Sequence, residues 1–585
     1  MSATSPRRML LLTVLAACLG LAGGGAAWVL LHLIALITDI ALFGHVGFHP
    51  PSLAQLHAGP RLVAVAIIGA LVISLLAKWA PVIRGHGIPE AMEAVLVKQS
   101  RIAPRTAIAK PLSAAVAIGT GAPFGAEGPI IVTGGSLGSL LGQVVRVSPA
   151  ERKILLACGA AAGMSATFGA PLASVVLAIE LLLFEFSARA LVPLAVATSV
   201  AAAVHGALYG VGPLFTAPVH EFAGLRSLPA FAILGLACGL LAVVISRGLF
   251  LVEGFYRRLP VGEFWHPVIG AAAFALVGLA SPRALGVGYD VIGDVLAARL
   301  ALGTVALVGV VKLIAWWLAL GSGTSGGTLA PILLISSVFG TLFGDGLNHV
   351  LPGPPLALGA FAVVAMAATF GAATRATFTA MVFVFELTRD YQVVLPLMLA
   401  TVLADLVFNS LCTDSIMTEK LARRGLRVGR SYGVDPFNTR SVGTIMTTPV
   451  ATLPVSATVA DARHRFVGGG HGAYPLVDGE DHVVGIVTRG DVLGSEIDPL
   501  APVLEHGSRD VVAVAPDDPA SAAMGVMLDE GIEHVPVIAD GRLVGICTRT
   551  DLMKLRADQR EHERPQPGFH PGQLLARGRR IRRAG

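Results

Sequence analysis

The chain has 585 residues, of which 54% are hydrophobic and only 14% are charged, and its mean hydropathy is +0.73. This apolarity excludes an ordinary soluble enzyme and is typical of a protein that crosses the membrane several times. The net charge of +5 is small. The five cysteines have neither disulfide nor metal-ligand spacing, so we predict no metal site and no required cofactor.

Hydropathy divides the chain into a membrane part and a soluble part. Apolar runs dominate from Met9 to Leu411, and charged residues return at soluble density from Asp414 onward. We therefore predict an all-α polytopic membrane domain followed by a cytosolic α/β region. The predicted boundaries are a cytosolic N-terminus at 1–8, a membrane domain at 9–426, a linker at 427–440 and a basic disordered tail at 557–585.

Basic residues flank both ends of the chain. Arg7 and Arg8 precede the first apolar run, and "RGRRIRR" (577–583) lies near the C-terminus. Cations beside a membrane span favour the cytosolic side, so we expect both termini in the cytosol and the protein in the cytoplasmic membrane. We expect the basic tail to meet anionic lipid, and we predict no nucleic-acid partner.

The membrane domain contains an internal repeat. "GAEGP" (125–129) corresponds to "GTLAP" (327–331), an offset of 202 residues from 129 to 331. "ATFGA" recurs with the same offset from 166 to 368, and Lys110 matches Lys312. A constant offset over several landmarks indicates two copies of one unit. We place the first copy at about 9–210, the second at about 229–412 and a last helix at 414–426.

The repeated landmarks are glycine-rich breaks, each followed by an apolar helical run. The four are "RGHGIPE", "GTGAPFGAEGP", "LGVGYD" and "GSGTSGGTLAP". Irregular backbone survives at membrane depth only where protein covers it or where it lines a cavity. Each helix start presents free N–H groups and partial positive charge, so several converging starts predict an anion site. The breaks hold no cluster of carboxylates for a dehydrated cation.

Glu127 is the one carboxylate in the second break. A charge at bilayer depth costs roughly 2.5–3.5 kcal/mol even on lenient insertion scales, so it usually marks a site. We interpret Glu127 as a gate that occupies the anion site until an anion or a proton displaces it. The alternative is a structural glutamate that complements a helix start. Because the matching residue of the second copy is the uncharged Leu329, we favour the gate.

These motifs resemble those of the CLC family of chloride channels and proton-coupled chloride exchangers. "GHGIPE", "GAEGP" and "GGTLAP" resemble its selectivity and gating segments, and "SIMTEKLARRG" (415–425) resembles its last membrane helix. The resemblance implies a fold of inverted repeats with broken, tilted helices and a homodimer with one pore per subunit. It also implies that Glu127 is the external gate. The implied anion-binding residues are His86, Gly87, Ile88, Gly125, Ala126, Gly128, Thr328, Leu329 and Met417.

The sequence departs from the family pattern at three positions. His86 replaces the pore serine, and its ring either donates a hydrogen bond to the anion or turns aside. Met417 replaces the pore tyrosine. Leu181 replaces the internal proton-accepting glutamate, which normally follows the glutamate matched by Glu180. Glu180 or Glu185 could substitute on a proton path, although each could equally be a helix-end charge.

The predicted function is transmembrane transport of chloride or similar small anions. Because leucine cannot relay a proton, we favour a channel-like or loosely proton-coupled conductor. The first alternative is a stoichiometric proton–chloride antiporter. The second is a cation transporter with regulatory cytosolic domains. The predicted partners are membrane lipid, a second copy of the chain and small anions.

The soluble part contains a second repeat. "GIVTRGD" (485–491) and "GICTRTD" (545–551) each follow alternating apolar residues with an Asp-Gly turn, which predicts two hairpins. They resemble a tandem pair of cystathionine-β-synthase-type (CBS) domains, which we place at 441–496 and 503–556. In nucleotide-binding members of that family, the matching loop positions contact phosphate and ribose. Those positions are Thr488, Asp491, Thr548 and Asp551. We therefore consider adenine nucleotide a ligand, with dimerisation alone as the alternative.

Overall fold

A computed structural model describes residues 6–49, 51–215, 224–350, 356–426, 437, 440–493 and 497–562. The chain forms two compact units, one up to residue 432 and one from residue 433. The first is helical and the second mixes helices with strands, so the predicted fold class is confirmed. In the described ranges, seven helices are long and apolar enough to cross a membrane.

The membrane unit contains seventeen described α-helices. They are α1 Pro6–Thr38, α2 Pro60–Trp79, α3 Ile88–Val97, α4 Pro104–Gly119, α5 Glu127–Val144, α6 Pro149–Phe168, α7 Pro171–Leu177, α8 Ala188–Tyr209, α9 Leu228–Arg258, α10 His266–Gly278, α11 Tyr289–Leu296, α12 Leu302–Gly321, α13 Leu329–Val350, α14 Leu358–Thr374, α15 Thr377–Thr388, α16 Val394–Leu411 and α17 Glu419–Arg423. A π-helical turn, Ala178–Leu183, continues α7. Helices α1–α8 and α9–α16 match in order, as the repeat predicts.

Two boundaries of the membrane domain differ from the prediction. Helix α1 begins at Pro6, inside the stretch predicted to be a cytosolic terminus, because Pro suits the first turn of a helix. The last helix, predicted at 414–426, is reduced to the five residues of α17. Residues 415–418 instead form a turn in which the Thr418 hydroxyl accepts a hydrogen bond from the Ser415 amide at 3.0 Å.

Glycine sets the start of α3 and of its counterpart α11. Gly87 precedes α3 with φ = 88°, and Gly288 precedes α11 with φ = 86°. Side chains rarely adopt this left-handed conformation, so each break needs glycine at this point. The two breaks therefore turn in the same way and end in equivalent helix starts.

The soluble unit contains two small sheets. Strands β1 Leu453–Pro454, β2 Ala473–Val477 and β3 Val483–Thr488 form one, and β4 His534–Ala539 and β5 Arg542–Thr548 form the other. Strand β1 is parallel to β2, whereas β2–β3 and β4–β5 are antiparallel hairpins, as the Asp-Gly turns predict. The described helices are α18 Val442–Ile445, α19 Val459–Gly469, α20 Arg489–Val492, α21 Ala520–Asp529 and α22 Arg549–His562.

The predicted tail begins too early. Helix α22 extends to His562, so residues 557–562 are helical and the prediction of disorder from 557 is wrong there. Leu552 and Leu555 of this helix are both buried. The remainder of the tail, and most of the predicted linker at 427–440, lie outside the described residues.

Candidate functional site

The second breaks of the two repeats meet at one point. Gly125 and Gly327, equivalent under the offset of the repeat, form an antiparallel backbone bridge. The Gly327 amide donates to the Gly125 carbonyl at 2.9 Å, and the reverse hydrogen bond measures 3.4 Å. Helices α5 and α13 start just beyond this bridge, at Glu127 and Leu329, and their N-termini therefore lie next to each other.

The first break of the chain packs against the same point. A Cβ on Gly128 would lie 2.4 Å from the carbonyl oxygen of His86 and 3.2 Å from Cα of Gly327, so only glycine fits. Ala126 is the residue before α5 and is buried. Ile88, the first residue of α3, is buried as well. The sequence-predicted positions from three breaks are thus brought together.

Glu127 is folded into this junction, with 1% of its surface exposed. Its Oε1 accepts a hydrogen bond from the hydroxyl of Tyr289, the first residue of α11. Its Oε2 lies against the glycine bridge, where a Cβ on Gly125 would be only 1.8 Å away. The backbone amides of Glu127 and Ala330 are close to the carboxylate. A negative group therefore already occupies the space between the N-termini of α5 and α13.

Three sequence-predicted residues keep unused polar atoms in this site. Among the described residues, Nδ1 of His86, Oε2 of Glu127 and Oγ1 of Thr328 have no hydrogen-bond partner, although all three atoms are buried. Buried polar atoms without partners are rare in folded proteins and need an explanation. An imidazole and a hydroxyl beside helix N-termini can donate to a small anion, whereas the carboxylate competes with it.

Two lysines support the breaks from inside the domain. Lys110 donates to the carbonyls of Ile83 and Gly85 at 2.7 and 2.6 Å, and Lys312 donates to that of Gly286 at 2.7 Å. Both lysines are fully buried. They thus hold the backbone of the first break of each repeat through its carbonyls. Lys312 is also within electrostatic range of Glu127.

The segment around Met417 closes the junction on a further side. Met417 is buried, and the Ile416 amide donates to the carbonyl of Ala373 at 3.1 Å. The His86 ring lies against the backbone of Ile416. Lys420 approaches the same break, since a Cβ on Gly85 would lie 2.5 Å from its Nζ. Met417 presents a thioether here, so this side offers no hydroxyl from that residue.

Glu180 has a partner that the sequence does not reveal. Its Oε2 accepts hydrogen bonds from the Thr379 amide and hydroxyl at 2.9 and 2.6 Å, and its Oε1 accepts from the Phe378 amide at 3.3 Å. In the other repeat, Glu386 accepts from the amides of Leu172 and Ala173 at 3.0 and 2.7 Å. The two glutamates therefore cap each other's helices, α15 and α7. Glu180 on a proton path stays a prediction.

In the soluble unit, the four loop residues predicted for nucleotide binding form two helix caps. Asp491 accepts from the Thr488 amide and hydroxyl at 2.7 and 2.8 Å. Asp551 accepts from the Thr548 amide and hydroxyl at 2.9 and 2.6 Å. Each Thr–Asp pair is a capping box of the kind that starts a helix. These caps fix the orientation of the two loops. Nucleotide binding by these residues stays a prediction.

Sequence reasoning missed Tyr289 and the cap formed by Glu386. Tyr289 belongs to "LGVGYD", which the repeat already marks as a landmark. Its alignment with Ile88 of "GHGIPE" could have identified it, because the second repeat carries a tyrosine hydroxyl where the first repeat has an apolar isoleucine. Because both residues begin helices that point at the same junction, the difference between them is expected to be functional.

Comparison with known proteins agrees with this architecture. The family model described as "Voltage gated chloride channel" matches residues 68–409, more than half of the chain, and the CBS domain model matches 442–497 and 505–558. A polytopic membrane protein of inverted repeats with a mixed α/β CBS pair is the class that this fold defines. The chain belongs to the CLC family, whose members transport anions, and it is a multi-pass membrane protein.

Three similar proteins carry more specific names. A putative chloride channel protein ClcB-like of Ralstonia nicotianae is 30% identical over 364 residues, which cover 62% of this chain and 84% of the relative. An H(+)/Cl(−) exchange transporter ClcA of Vibrio campbellii is 30% identical over 376 residues, which cover 62% of this chain and 80% of the relative. The crystal structure of a slow cyanobacterial Cl−/H+ antiporter is 26% identical with a TM-score of 0.62, covering 72% and 99%.

Two of these three names weigh against the sequence-based preference for a channel-like conductor. Exchange transporters among the relatives and an antiporter among the solved structures agree better with the alternative, proton–chloride antiport. The preference for a channel rested on the departures from the family pattern, chiefly on Leu181.

Proposed function

We propose that this protein exchanges chloride, or a similar small anion, for protons across the cytoplasmic membrane. The observation that carries the proposal is the position of Glu127, whose carboxylate lies between the N-termini of α5 and α13. An anion can use the amides at these helix starts only after the carboxylate has left. A carboxylate leaves such donors most easily when a proton neutralises it. Proton binding and anion passage are therefore linked through one side chain.

The anion itself is held by dipoles and hydrogen-bond donors. The amides at the starts of α5 and α13, the unpartnered Nδ1 of His86 and the hydroxyl of Thr328 supply this environment. The amino groups of Lys110 and Lys312 are engaged by backbone carbonyls of the breaks. This arrangement attracts an anion without a contact to a free cation, so that the anion can leave again.

We place the N-terminus of α1 and the CBS pair on the cytosolic side. Arg8 forms an ion pair with Glu151 at 2.7 Å, and Arg189 approaches the same carboxylate at 3.3 Å. Several basic side chains at one end of the helices agree with the positive-inside rule. By its resemblance to the family, the chain is proposed to be a homodimer with one pathway in each subunit and a regulatory CBS pair that binds adenine nucleotide.

The experiment is a flux measurement on purified protein in liposomes with opposed chloride and proton gradients. Exchange predicts that a chloride gradient alone drives protons in the opposite direction, and that the reversal potential departs from the chloride equilibrium potential. A reversal potential at the chloride value, without proton movement, would instead identify a channel. A cation gradient that sets the reversal potential would identify a cation transporter.

A further inference from the structure

A cavity of about 790 Å³ lies beside the last helix of the membrane unit. Its lining includes Leu181, which stands where the family resemblance places the internal proton-accepting glutamate. Leucine has no proton to give, so the exchange proposed above needs another acid at this cavity. The lining contains four acids, namely Glu180, Asp405, Asp414 and Glu419.

Glu180 is poorly suited to this task. Both of its carboxylate oxygens accept hydrogen bonds from the start of α15. A proton on this carboxylate would remove the negative charge from a helix N-terminus and compete with three donors. Glu386 performs the same task in the other repeat, which indicates that the fold requires a carboxylate at each of these two positions.

Glu419 differs from Glu180 in having one carboxylate oxygen without a hydrogen-bond partner among the described residues. It is the first residue of α17, two positions after Met417, and 13% of its side chain is exposed. Oε1 pairs with Nε of Arg423. Oε2 is buried and finds no hydrogen-bond partner within the described ranges. Among these four acids, it is the carboxylate closest in sequence to the constriction residue Met417.

The charges around Glu419 tolerate both of its protonation states. Arg423 also approaches Glu253 of α9 at 3.7 Å, so one guanidinium serves two carboxylates. Glu253 and Arg257 lie within electrostatic range of Glu419. When Glu419 accepts a proton, Arg423 keeps Glu253 as its counter-ion, and no unpaired charge is left buried. An acid that titrates repeatedly during transport needs such an arrangement.

We propose that Glu419 is the internal proton acceptor of this transporter. Its carboxylate takes a proton from water in the cavity and releases it towards the junction, where the carboxylate of Glu127 accepts it. One O–H bond forms and one breaks at Glu419 in each cycle, and no redox partner is needed. The assignment rests on the proposed exchange, and it names the residue through which the proton enters.

The test compares proton and chloride movement in liposomes for Glu419→Gln and the unmodified protein. Loss of a positioned acid–base group typically costs about 10²–10⁴-fold, so we expect proton movement to fall by about a hundredfold or more while chloride still moves. Glu419→Asp, which keeps a carboxylate, should retain coupled exchange at a lower rate. Leu181→Glu in the Glu419→Gln background should restore proton movement, because it returns an acid to the same cavity.

Two comparison variants identify the residue. Glu180→Gln and Glu185→Gln should both keep the ratio of proton to chloride movement, since Glu180 caps a helix and Glu185 is exposed beside Lys153 at 3.6 Å. An unchanged ratio in Glu419→Gln would overturn the assignment and leave exchange intact. If proton movement is lost in Glu180→Gln but kept in Glu419→Gln, the assignment of Glu419 is likewise overturned while exchange remains. No proton movement by the unmodified protein would overturn the proposed exchange, and the assignment with it.

Discussion

The hydroxyl of Tyr289 donates a hydrogen bond to Oε1 of Glu127, across 162 positions of sequence and from one repeat to the other. The phenol ring is held by Phe168 and Phe215, with ring centroids at 5.9 and 6.3 Å. In the repeat, Ile88 is the equivalent of Tyr289 and Leu329 is the equivalent of Glu127. Because neither equivalent has a polar side chain, the second pair of positions cannot form the same hydrogen bond. Tyr289 thus holds the carboxylate between the N-termini of α5 and α13.

Tyr289→Phe should weaken the blocked state. A hydrogen bond to a charged group contributes about 1.5–3 kcal/mol, and each 1.4 kcal/mol is about a tenfold change in an equilibrium constant. We therefore expect chloride flux at neutral pH to rise by about ten- to a hundredfold, unless another step limits it. Flux assays in liposomes measure this, with Tyr391→Phe, an exposed position, as the control. Equal flux in the two variants would show that the hydroxyl does not hold the gate.

Glu127→Gln should uncouple the two ions. Glutamine has nearly the same shape, but it carries neither a negative charge nor a titratable proton. We expect chloride to move at every pH without activation by acid, and we expect proton movement to be lost. The matched control is Glu263→Gln, since Glu263 is exposed and forms an ion pair with Arg84. Acid activation that persists in Glu127→Gln would refute the assignment of the gate.

Glu386→Gln should destabilise the membrane unit without uncoupling transport. Loss of a helix-capping side chain costs about 0.5–2 kcal/mol, and glutamine keeps only one acceptor for the two amides of α7. Thermal unfolding in detergent should therefore show a lower midpoint for Glu386→Gln, and a similar decrease for Glu180→Gln. Glu185→Gln provides the baseline. A midpoint equal to the baseline would mean that these contacts do not stabilise the fold.

Asp551→Asn should weaken the second CBS domain even without a ligand. Asp551 is buried and accepts hydrogen bonds from three donor groups, one of which is the Thr447 hydroxyl at 3.3 Å. Loss of a buried hydrogen bond costs about 1–3 kcal/mol. Hydrogen exchange in helix α22 of the full-length protein should become faster. Protection that does not change would contradict the role of this cap.

The same measurement tests nucleotide binding. If adenine nucleotide binds the CBS pair, AMP should slow hydrogen exchange around Thr488 and Thr548 in the unmodified protein. The variant Asp491→Asn, in the first domain, should reduce this protection. An AMP titration that leaves exchange unchanged in the unmodified protein would refute nucleotide binding and favour a pair that serves only to dimerise.

Much of the membrane fold followed from sequence because its signals are local. Glycines mark where helices break, apolar runs mark the helical stretches between them, and the constant offset pairs one break with another. The start of α5 at Glu127 and of α13 at Leu329 needed only the breaker pattern. The CBS hairpins were predicted from alternating apolar residues and Asp-Gly turns, which also act over a few residues.

The sequence by itself determined which residues form the breaks, that two copies of one unit exist and that one copy carries the acid. Only the tertiary structure decided which groups the polar and charged side chains meet. Tyr289, Glu386 and the shared Arg423 act through contacts between distant segments, and the packing of whole helices sets the direction of each side chain. Periodicity records the face on which a residue lies, but it does not record the atom that the residue meets.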